Sequence, residues 1–265
     1  MLLSLATQAV AQSPAQLVAL GRSRQDRDPR GALALFERAL AIDSLDFEAN
    51  WRAVLALVTI GQETPDSVES AGRDSLYFRA ERLARRAVES DSTRAEGQFA
   101  VAMALGRVAL TKSRRDRIRY AAAIYRAVAR TLDIDPRHDG AHHLLGLWNA
   151  EVMRTSGFDR FMARNLLGGR ILGKASWAQA IEQLETAVRL DPGRIYHRLD
   201  LARVYVDRKR YGAARAQLDT IATLPDRMAL DPRYRQDAAR LETRIAGLKD
   251  PQRAGALPVG PAPGR

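Results

Sequence analysis

Residues 168–174, Gly-Gly-Arg-Ile-Leu-Gly-Lys, have the spacing of a phosphate-binding loop, in which glycine amides and a lysine surround the phosphates of a nucleotide. Such a loop follows a buried strand, and a Ser or Thr hydroxyl directly after the lysine binds magnesium. Here Ala175 follows Lys174, and the residues before the loop have a helical pattern. We therefore predict that this segment binds no nucleotide.

Four histidines are the other candidates for chemistry: His138, His142, His143 and His197. On a helix His138 and His142 would share a face, and Asp139 and Glu151 lie near enough in sequence to complete a metal site. The order HExxH is absent, as is a GxSxG motif or a recognisable Ser, His and Asp spacing. We predict histidines that are solvated or packed at a repeat junction, no metal or cofactor, and no enzymatic activity.

Composition excludes further classes of site. The chain has 265 residues, 46% of them hydrophobic, and no cysteine, which removes disulfide frameworks, thiolate metal sites and cysteine nucleophiles. The net charge of +11 suggests an anionic partner. The prediction of an anionic partner rests on one dense basic cluster, which consists of Lys112, Arg114, Arg115, Arg117 and Arg119. It lacks interleaved aromatic residues for base stacking, so an acidic protein or an anionic lipid surface is expected before nucleic acid.

The elements that must position these residues are predicted by an internal repeat. Five segments carry small or apolar side chains at i, i+4 and i+7, which fall within about 60° of one another on a helix. Their first residues are Ala32, Ala80, Ile124, Ala180 and Ala214. The first four end in Asp-Ser or Asp-Pro, and a second helical pattern follows, near Phe47, Ala95, Gly140 and Ile195. Pro136 and Pro192 end the preceding helix, and the acidic residue beside each is expected to cap the next.

This alternation of antiparallel helices resembles the tetratricopeptide (TPR) repeat, most clearly in Leu145-Gly146, in the set Ala180, Ala187 and Pro192, and in Leu201, Tyr205 and Ala214. The resemblance implies an all-α, right-handed solenoid of about five degenerate repeats over residues 13–246. Insertions are expected near 61–73, 111–119 and 155–175, the last with an extra short helix. A capping helix from Pro232 to Ala246, with Asp231 as its N-cap, is expected to close the array.

A narrower resemblance rests on motifs that occur in a fixed order: Leu105-Gly106-Arg107, His142 to Trp148, Leu167-Gly168-Gly169 and Ser176 to Ile181. They resemble the regulator of microtubule dynamics family and its bacterial relatives over roughly residues 32–224. The resemblance implies a non-enzymatic helical adaptor with a protein or peptide partner, and the Arg-rich composition favours a bacterial member.

In TPR arrays, positions 2, 5, 9, 12 and 13 of the first helix of each repeat line a concave groove. Alignment to that pattern places there Trp51, Leu55, Glu96, Phe99, Met103, Arg107, His143, Leu147, Glu151, Tyr196 and Arg203. Aromatic and arginine side chains dominate interface energetics, so we predict a scaffold that binds a peptide or helix in this groove. Two alternatives stay open: Trp51, Phe99 and Leu147 pack between repeats, or the protein binds an anionic surface through residues 112–119. Arg107 needs a carboxylate such as Glu96 or Glu151, or an anionic ligand.

The ends of the chain differ from the repeats. Residues 1–12 resemble the back half of a signal peptide and close on Ala9-Val10-Ala11, although the apolar run is short and has no basic residue before it. They predict a periplasmic or secreted protein, with the cytoplasm as the alternative. Residues 247–265 are rich in proline and glycine and predict a disordered tail. No other stretch is long and apolar enough to span a membrane.

Overall fold

The computed structural model describes residues 12–155 and 170–251, without the side chains of Arg114, Arg115 and Arg170. Within these ranges the chain is helical and contains no strand. The α-helices are α1 Pro14–Arg24, α2 Pro29–Ile42, α3 Phe47–Gln62, α4 Ala71–Ser90, α5 Ala95–Leu110, α6 Arg114–Ile134, α7 Asp139–Arg154, α8 Trp177–Leu190, α9 Ile195–Asp207, α10 Tyr211–Thr223 and α11 Asp231–Ile245. A 3-10 helix, Arg170–Lys174, precedes α8.

The helices form five successive hairpins, α1–α2, α3–α4, α5–α6, α7–α8 and α9–α10, and α11 packs on the last one. The first helices of neighbouring hairpins also contact one another, from α1 to α3 and on to α9. They form an inner layer, and the second helices form an outer layer. The predicted all-α solenoid is confirmed by this arrangement. No helix among the described residues is both long and apolar enough to cross a lipid bilayer.

The small-residue stripes of the repeat form the helix contacts. Ala32, Ala80, Ala180 and Ala214 each have no exposed surface. Large side chains of the second helices also lie against glycines of the first helices, because a glycine lets the two backbones approach closely. Such pairs are Gly21 with Phe36, Gly61 with Tyr77 and Gly146 with Leu184.

Side chains cap the starts of several helices. Asp46 and Ser70 accept hydrogen bonds from first-turn amides of α3 and α4. The expectation that the acidic residues beside Pro136 and Pro192 cap the next helices was wrong. Asp135 and Asp191 end α6 and α8 and accept hydrogen bonds from amides of their own turns. The turn that follows each is too long for these side chains to reach the next helix.

His138 caps α7 instead, because its Nδ1 accepts the amide hydrogen of Ala141 at 3.2 Å. No side-chain hydrogen bond caps α9, which follows Arg194. One helix was not anticipated at all: α1 follows Ser13, whose hydroxyl and the Gln16 side chain form a reciprocal capping box. That Ser-Pro-x-Gln pattern was the signal in the sequence.

The predicted capping helix begins one residue early, at Asp231, so Asp231 is not its N-cap. The side chain of Asp231 is buried and accepts the amide hydrogens of Arg227 and Met228, both at 2.8 Å, and so fixes the loop before α11. The tail predicted from 247 also begins too early. Asp250 accepts the amide hydrogen of Gly212 at 2.8 Å, so the residues just after α11 pack on α10.

The predicted insertions have different structures. The first is the loop 63–70 between α3 and α4, and most of the second is the start of α6. The proposed extra helix of the third falls on residues 156–169, which lie outside the described residues, as do residues 1–11 of the predicted signal and 252–265 of the predicted tail.

Candidate partner-binding groove

Of two aromatic residues predicted for the groove, Trp51 is buried and Phe99 is half-buried against neighbouring side chains. Trp51 is buried in α3 and the guanidinium of Arg52 lies 4.2 Å from its ring centroid. Phe99 of α5 stacks on the ring of His138 with centroids 4.4 Å apart, and its ring fills the space beside Gly140. The contacts of these two residues therefore agree better with packing between repeats than with a free binding surface.

The apolar groove residues in the middle of the inner layer are as exposed as Phe99. Met103 of α5 and Leu147 of α7 are half-buried, as is Leu55 of α3. Arg107 lies at the end of α5, and its guanidinium is 3.5 Å from the carboxylate of Asp66 in the loop 63–70. Asp66 was not among its expected partners, because the loop that brings it there is an insertion.

The two carboxylates expected to pair with Arg107 pair elsewhere. Glu96 lies 3.6 Å from Arg94, and Glu151 forms an ion pair with Arg154 one turn later on α7. Both partners are close in sequence, so these pairs form at little cost in chain entropy. Within the described part of the chain, Arg107 therefore has one long ion pair, to a half-exposed carboxylate.

Two histidine–aspartate pairs join α7 to α9. His143 of α7 lies 3.3 Å from Asp200 of α9, measured from Nε2 to Oδ2. His197 of α9 donates from Nε2 to Oδ2 of Asp139 at 2.9 Å. The two imidazole rings are 4.7 Å apart, so each helix contributes one histidine and one aspartate to a single buried cluster. His143 was predicted for the groove, whereas the role of Asp200 was missed.

Burial and charge set the protonation of this cluster. Burial lowers the pKa of His197 to about 4, in spite of the neighbouring Asp139 carboxylate. Burial would raise the pKa of Asp200, but the hydrogen bond from His143 and the charge of Arg203 lower it to about 2. Nδ1 of each histidine is buried without a hydrogen-bond partner. No group of three or more metal-ligating side chains occurs among the described residues.

The last groove residues contact α11. Tyr196 packs edge-on against His143, with centroids 4.9 Å apart, and its ring lies 6.0 Å from that of Tyr234 in α11. Arg203 donates to Asp237 of α11 at 3.2 Å, besides its hydrogen bond to Asp200 at 2.9 Å. The helix predicted as a simple cap therefore covers part of the groove. Tyr234 and Asp237 are three residues apart and so lie on one face of α11. This spacing was the only feature of the sequence that could have indicated a binding face on the capping helix.

The start of α11 and the loop before it also reach the first two hairpins. The amide of Ala229 donates to the carbonyl of Asp26 at 2.7 Å. Arg233 donates to the carbonyl oxygen of Gln62 at the end of α3, and Nε2 of Gln62 lies 3.5 Å from the hydroxyl of Tyr234. The two ends of the array thus contact each other, which an open solenoid groove would not allow.

The basic cluster predicted to bind an anionic surface is partly used within the fold. The ammonium group of Lys112 lies 4.7 Å from the ring centroid of Phe78. Arg117 donates to the carbonyls of Lys112 and Leu110 at 3.1 and 3.2 Å, and so binds the end of α5. Arg119 is exposed. The side chains of Arg114 and Arg115 lie outside the described residues.

The described part of the phosphate-loop sequence is helical. Residues 170–174 form the 3-10 helix, in which Leu172 is buried against Trp148 and Val152. Lys174 lies 5.7 Å from the ring centroid of Tyr125. Residues 168 and 169 are outside the described residues.

Two solved structures share this fold at low sequence identity. The crystal structure of TTC0263, a thermophilic TPR protein in Thermus thermophilus, has a TM-score of 0.57 at 19% identity and covers 87% of this chain and 100% of its own. The human IFIT1 dimer with m7Gppp-AAAA has a TM-score of 0.52 at 20% identity and covers 88% of this chain and 55% of its own. These similarities concern the fold alone.

No curated protein sequence matches the chain. The sequence profile of the family described as Regulator of microtubule dynamics protein 1-3 matches residues 16–245, which includes all five hairpins and α11. The predicted resemblance to that family is confirmed. The chain belongs to the regulator of microtubule dynamics protein 1-3 family and has a TPR-like fold.

Proposed function

We propose that this protein is a non-enzymatic scaffold that binds a peptide or helix on the inner layer of its array. TPR-like folds are typically protein-interaction scaffolds. The observation that supports a helical ligand is the position of α11, because it lies against Tyr196 and Arg203, two residues predicted for the groove. A surface that accepts one helix of the same chain has the shape and the hydrogen-bonding groups to accept another.

The chemistry of the inner layer favours an amphipathic helix with acidic residues. Arg107 and Arg203 are partly exposed and lie on α5 and α9, on either side of α7. Between them Met103 and Leu147 offer half-buried apolar surface. Guanidinium groups bind carboxylates bidentately, and aromatic or arginine anchors carry most of the energy at such interfaces.

Selection of helical peptides from a displayed library against the whole protein tests this function. We expect the selected peptides to bind the Arg107→Glu variant about tenfold more weakly, because the substitution removes an anchor and repels acidic ligands. The matched control is Arg85→Glu, which changes an exposed arginine of α4 in the outer layer. Fluorescence anisotropy of the labelled peptides gives the dissociation constants. Equal affinity for wild type and Arg107→Glu, with both folded by circular dichroism, would contradict the groove assignment.

Binding of an anionic surface through residues 112–119 is the weaker alternative, because Lys112 and Arg117 already make contacts within the fold. Export to the periplasm or medium stays a prediction from residues 1–12. Neither is needed for the scaffold function.

A further inference from the structure

The contact that joins the two ends of the array is small and polar. It consists of the hydrogen bonds between Ala229 and Asp26, between Arg233 and Gln62, and the approach of Tyr234 to Gln62. Asp26 and Ala229 are both exposed. Separation of the ends would therefore replace these hydrogen bonds with bonds to water and would leave few apolar groups newly exposed.

The second half of α11 is held differently. Ala238, Leu241 and Ile245 are buried in the apolar core that α11 shares with α9 and α10. Removal of these side chains would expose that core to water, which is unfavourable. The loop before α11 and its first two turns, residues 226–237, connect the end-to-end contact to this core, and the hydrogen bonds of buried Asp231 and the burial of Leu230 hold them in place. We call these residues the bridge segment.

The bridge segment covers two of the residues predicted for the groove, Tyr196 and Arg203. Tyr234 lies beside the ring of Tyr196, and the carboxylate of Asp237 accepts a hydrogen bond from Arg203. A second helix cannot use the same ring and the same guanidinium while these contacts exist. The bridge segment and a partner therefore compete for one surface.

We propose that the bridge segment is an intramolecular occupant of the groove, and that the partner is a helix with an aromatic residue and, three residues later, a carboxylate. This inference rests on the proposed function and names the partner's chemistry. When the bridge segment separates from Asp26 and Gln62, the partner's aromatic ring takes the place of Tyr234 and its carboxylate takes the place of Asp237. The closed form lowers the apparent affinity by the fraction of molecules that are open.

A disulfide between positions 26 and 229 tests the competition directly. The sequence has no cysteine, so an Asp26→Cys, Ala229→Cys variant carries a single pair. The hydrogen bond of 2.7 Å from the amide of Ala229 to the carbonyl of Asp26 brings the two backbones close together, as a crosslink requires. The probe is a fluorescein-labelled synthetic peptide with the sequence of residues 226–246. We expect the oxidised variant to bind it at least about tenfold more weakly than the same variant after reduction.

A second variant opens the array without a crosslink. Arg233→Ala, Tyr234→Ala and Asp237→Ala together remove the described side-chain contacts of the bridge segment with α3 and α9, and we expect about tenfold tighter binding of the same peptide than by wild type. Glu242→Ala is the control, since it changes an exposed residue of α11 outside the bridge segment. It should bind as wild type does.

The outcomes separate the two proposals. Equal binding by the oxidised and reduced forms, with peptides from the library still selective for the groove, would overturn the bridge segment as an occupant and leave the proposed function intact. Failure of every helical peptide to bind the folded triple variant would overturn the proposed function and this inference with it.

Discussion

At the scale of single residues, the histidine–aspartate cluster between α7 and α9 makes stability depend on pH. His197 has no exposed side-chain surface and its pKa is lowered to about 4 by burial. An unfolded chain would protonate this histidine near pH 6.5, so between about pH 6.5 and 4 the unfolded state binds more protons than the native state. The stabilising contribution is present above pH 6.5 and is lost as the pH falls through 4.

We expect the free energy of unfolding to decrease between pH 7 and pH 4.5, with about 3 kcal/mol as the upper bound for His197. His138, whose pKa burial also lowers, adds a decrease of the same sign. In the His197→Gln variant, which keeps a donor for Asp139, the decrease should be smaller. Urea denaturation at several pH values measures it. The same pH dependence in variant and wild type would show that His197 does not contribute.

The two aspartates of the cluster affect stability in a separate, more acidic pH range. The pKa values of Asp139 and Asp200 are lowered to about 2. Their stabilising contribution is therefore present above pH 3.8 and is lost as the pH falls through 2. Because the two ranges do not overlap, measurements above pH 4.5 separate the contribution of His197 from that of Asp139 and Asp200.

The sequence indicated His143 and His197 but could not indicate their partners. Each histidine pairs with an aspartate more than 50 residues away in sequence, and such a pair exists only once α7 and α9 lie side by side. The same applies to Arg107, whose partner Asp66 lies in an insertion that the repeat pattern does not describe. Ion-pair partners within one helix can be predicted from sequence spacing, whereas partners on different helices cannot.

At the scale of the helices, glycines in the inner layer determine how closely the two helices of a hairpin pack. A Cβ added at Gly146 would lie 2.6 Å from Cγ of Leu184 and 3.1 Å from the carbonyl oxygen of Ala180. The carbonyl belongs to the backbone of α8 and cannot move away by rotation of a side chain. Gly106 has the corresponding Leu-Gly motif in α5, but a Cβ there would meet no atom within 4 Å.

These two positions give opposite predictions for the same substitution. Gly146→Ala should lower the free energy of unfolding by about 1–3 kcal/mol, because α7 and α8 must separate. Gly106→Ala should raise it by about 0.5–1 kcal/mol, because alanine favours the helix and meets no neighbour. Thermal unfolding of both variants measures the difference. A stabilised Gly146→Ala protein would mean that α7 and α8 are less closely packed than described.

At the scale of the whole molecule, contact between the ends changes how the array opens. In a linear repeat array the terminal repeats have one neighbour and open most easily. Here the first two hairpins also contact residues 229–234. The first two hairpins therefore have neighbours on both sides while the ends are in contact.

We expect the Arg233→Ala, Tyr234→Ala variant to lose this protection at the first hairpins. Amide hydrogen exchange, read by mass spectrometry, should become faster in α1 and at the end of α3, while α7 in the middle of the array exchanges as in wild type. An unchanged exchange profile in α1 and α3 would show that the end-to-end contact contributes nothing to stability.

The sequence by itself determined the fold class, the repeated helical pattern and the family. It could do so because a periodic stripe of small residues needs only local spacing to be recognised, and stacking of similar units follows from it. The tertiary structure alone decided that Trp51 is buried, that Phe99 packs on His138, that Arg107 pairs with Asp66, and that α11 covers Tyr196 and Arg203. The partners of Arg107, Tyr196 and Arg203 lie more than 30 residues away in sequence, so no single repeat contains both members of any of these pairs.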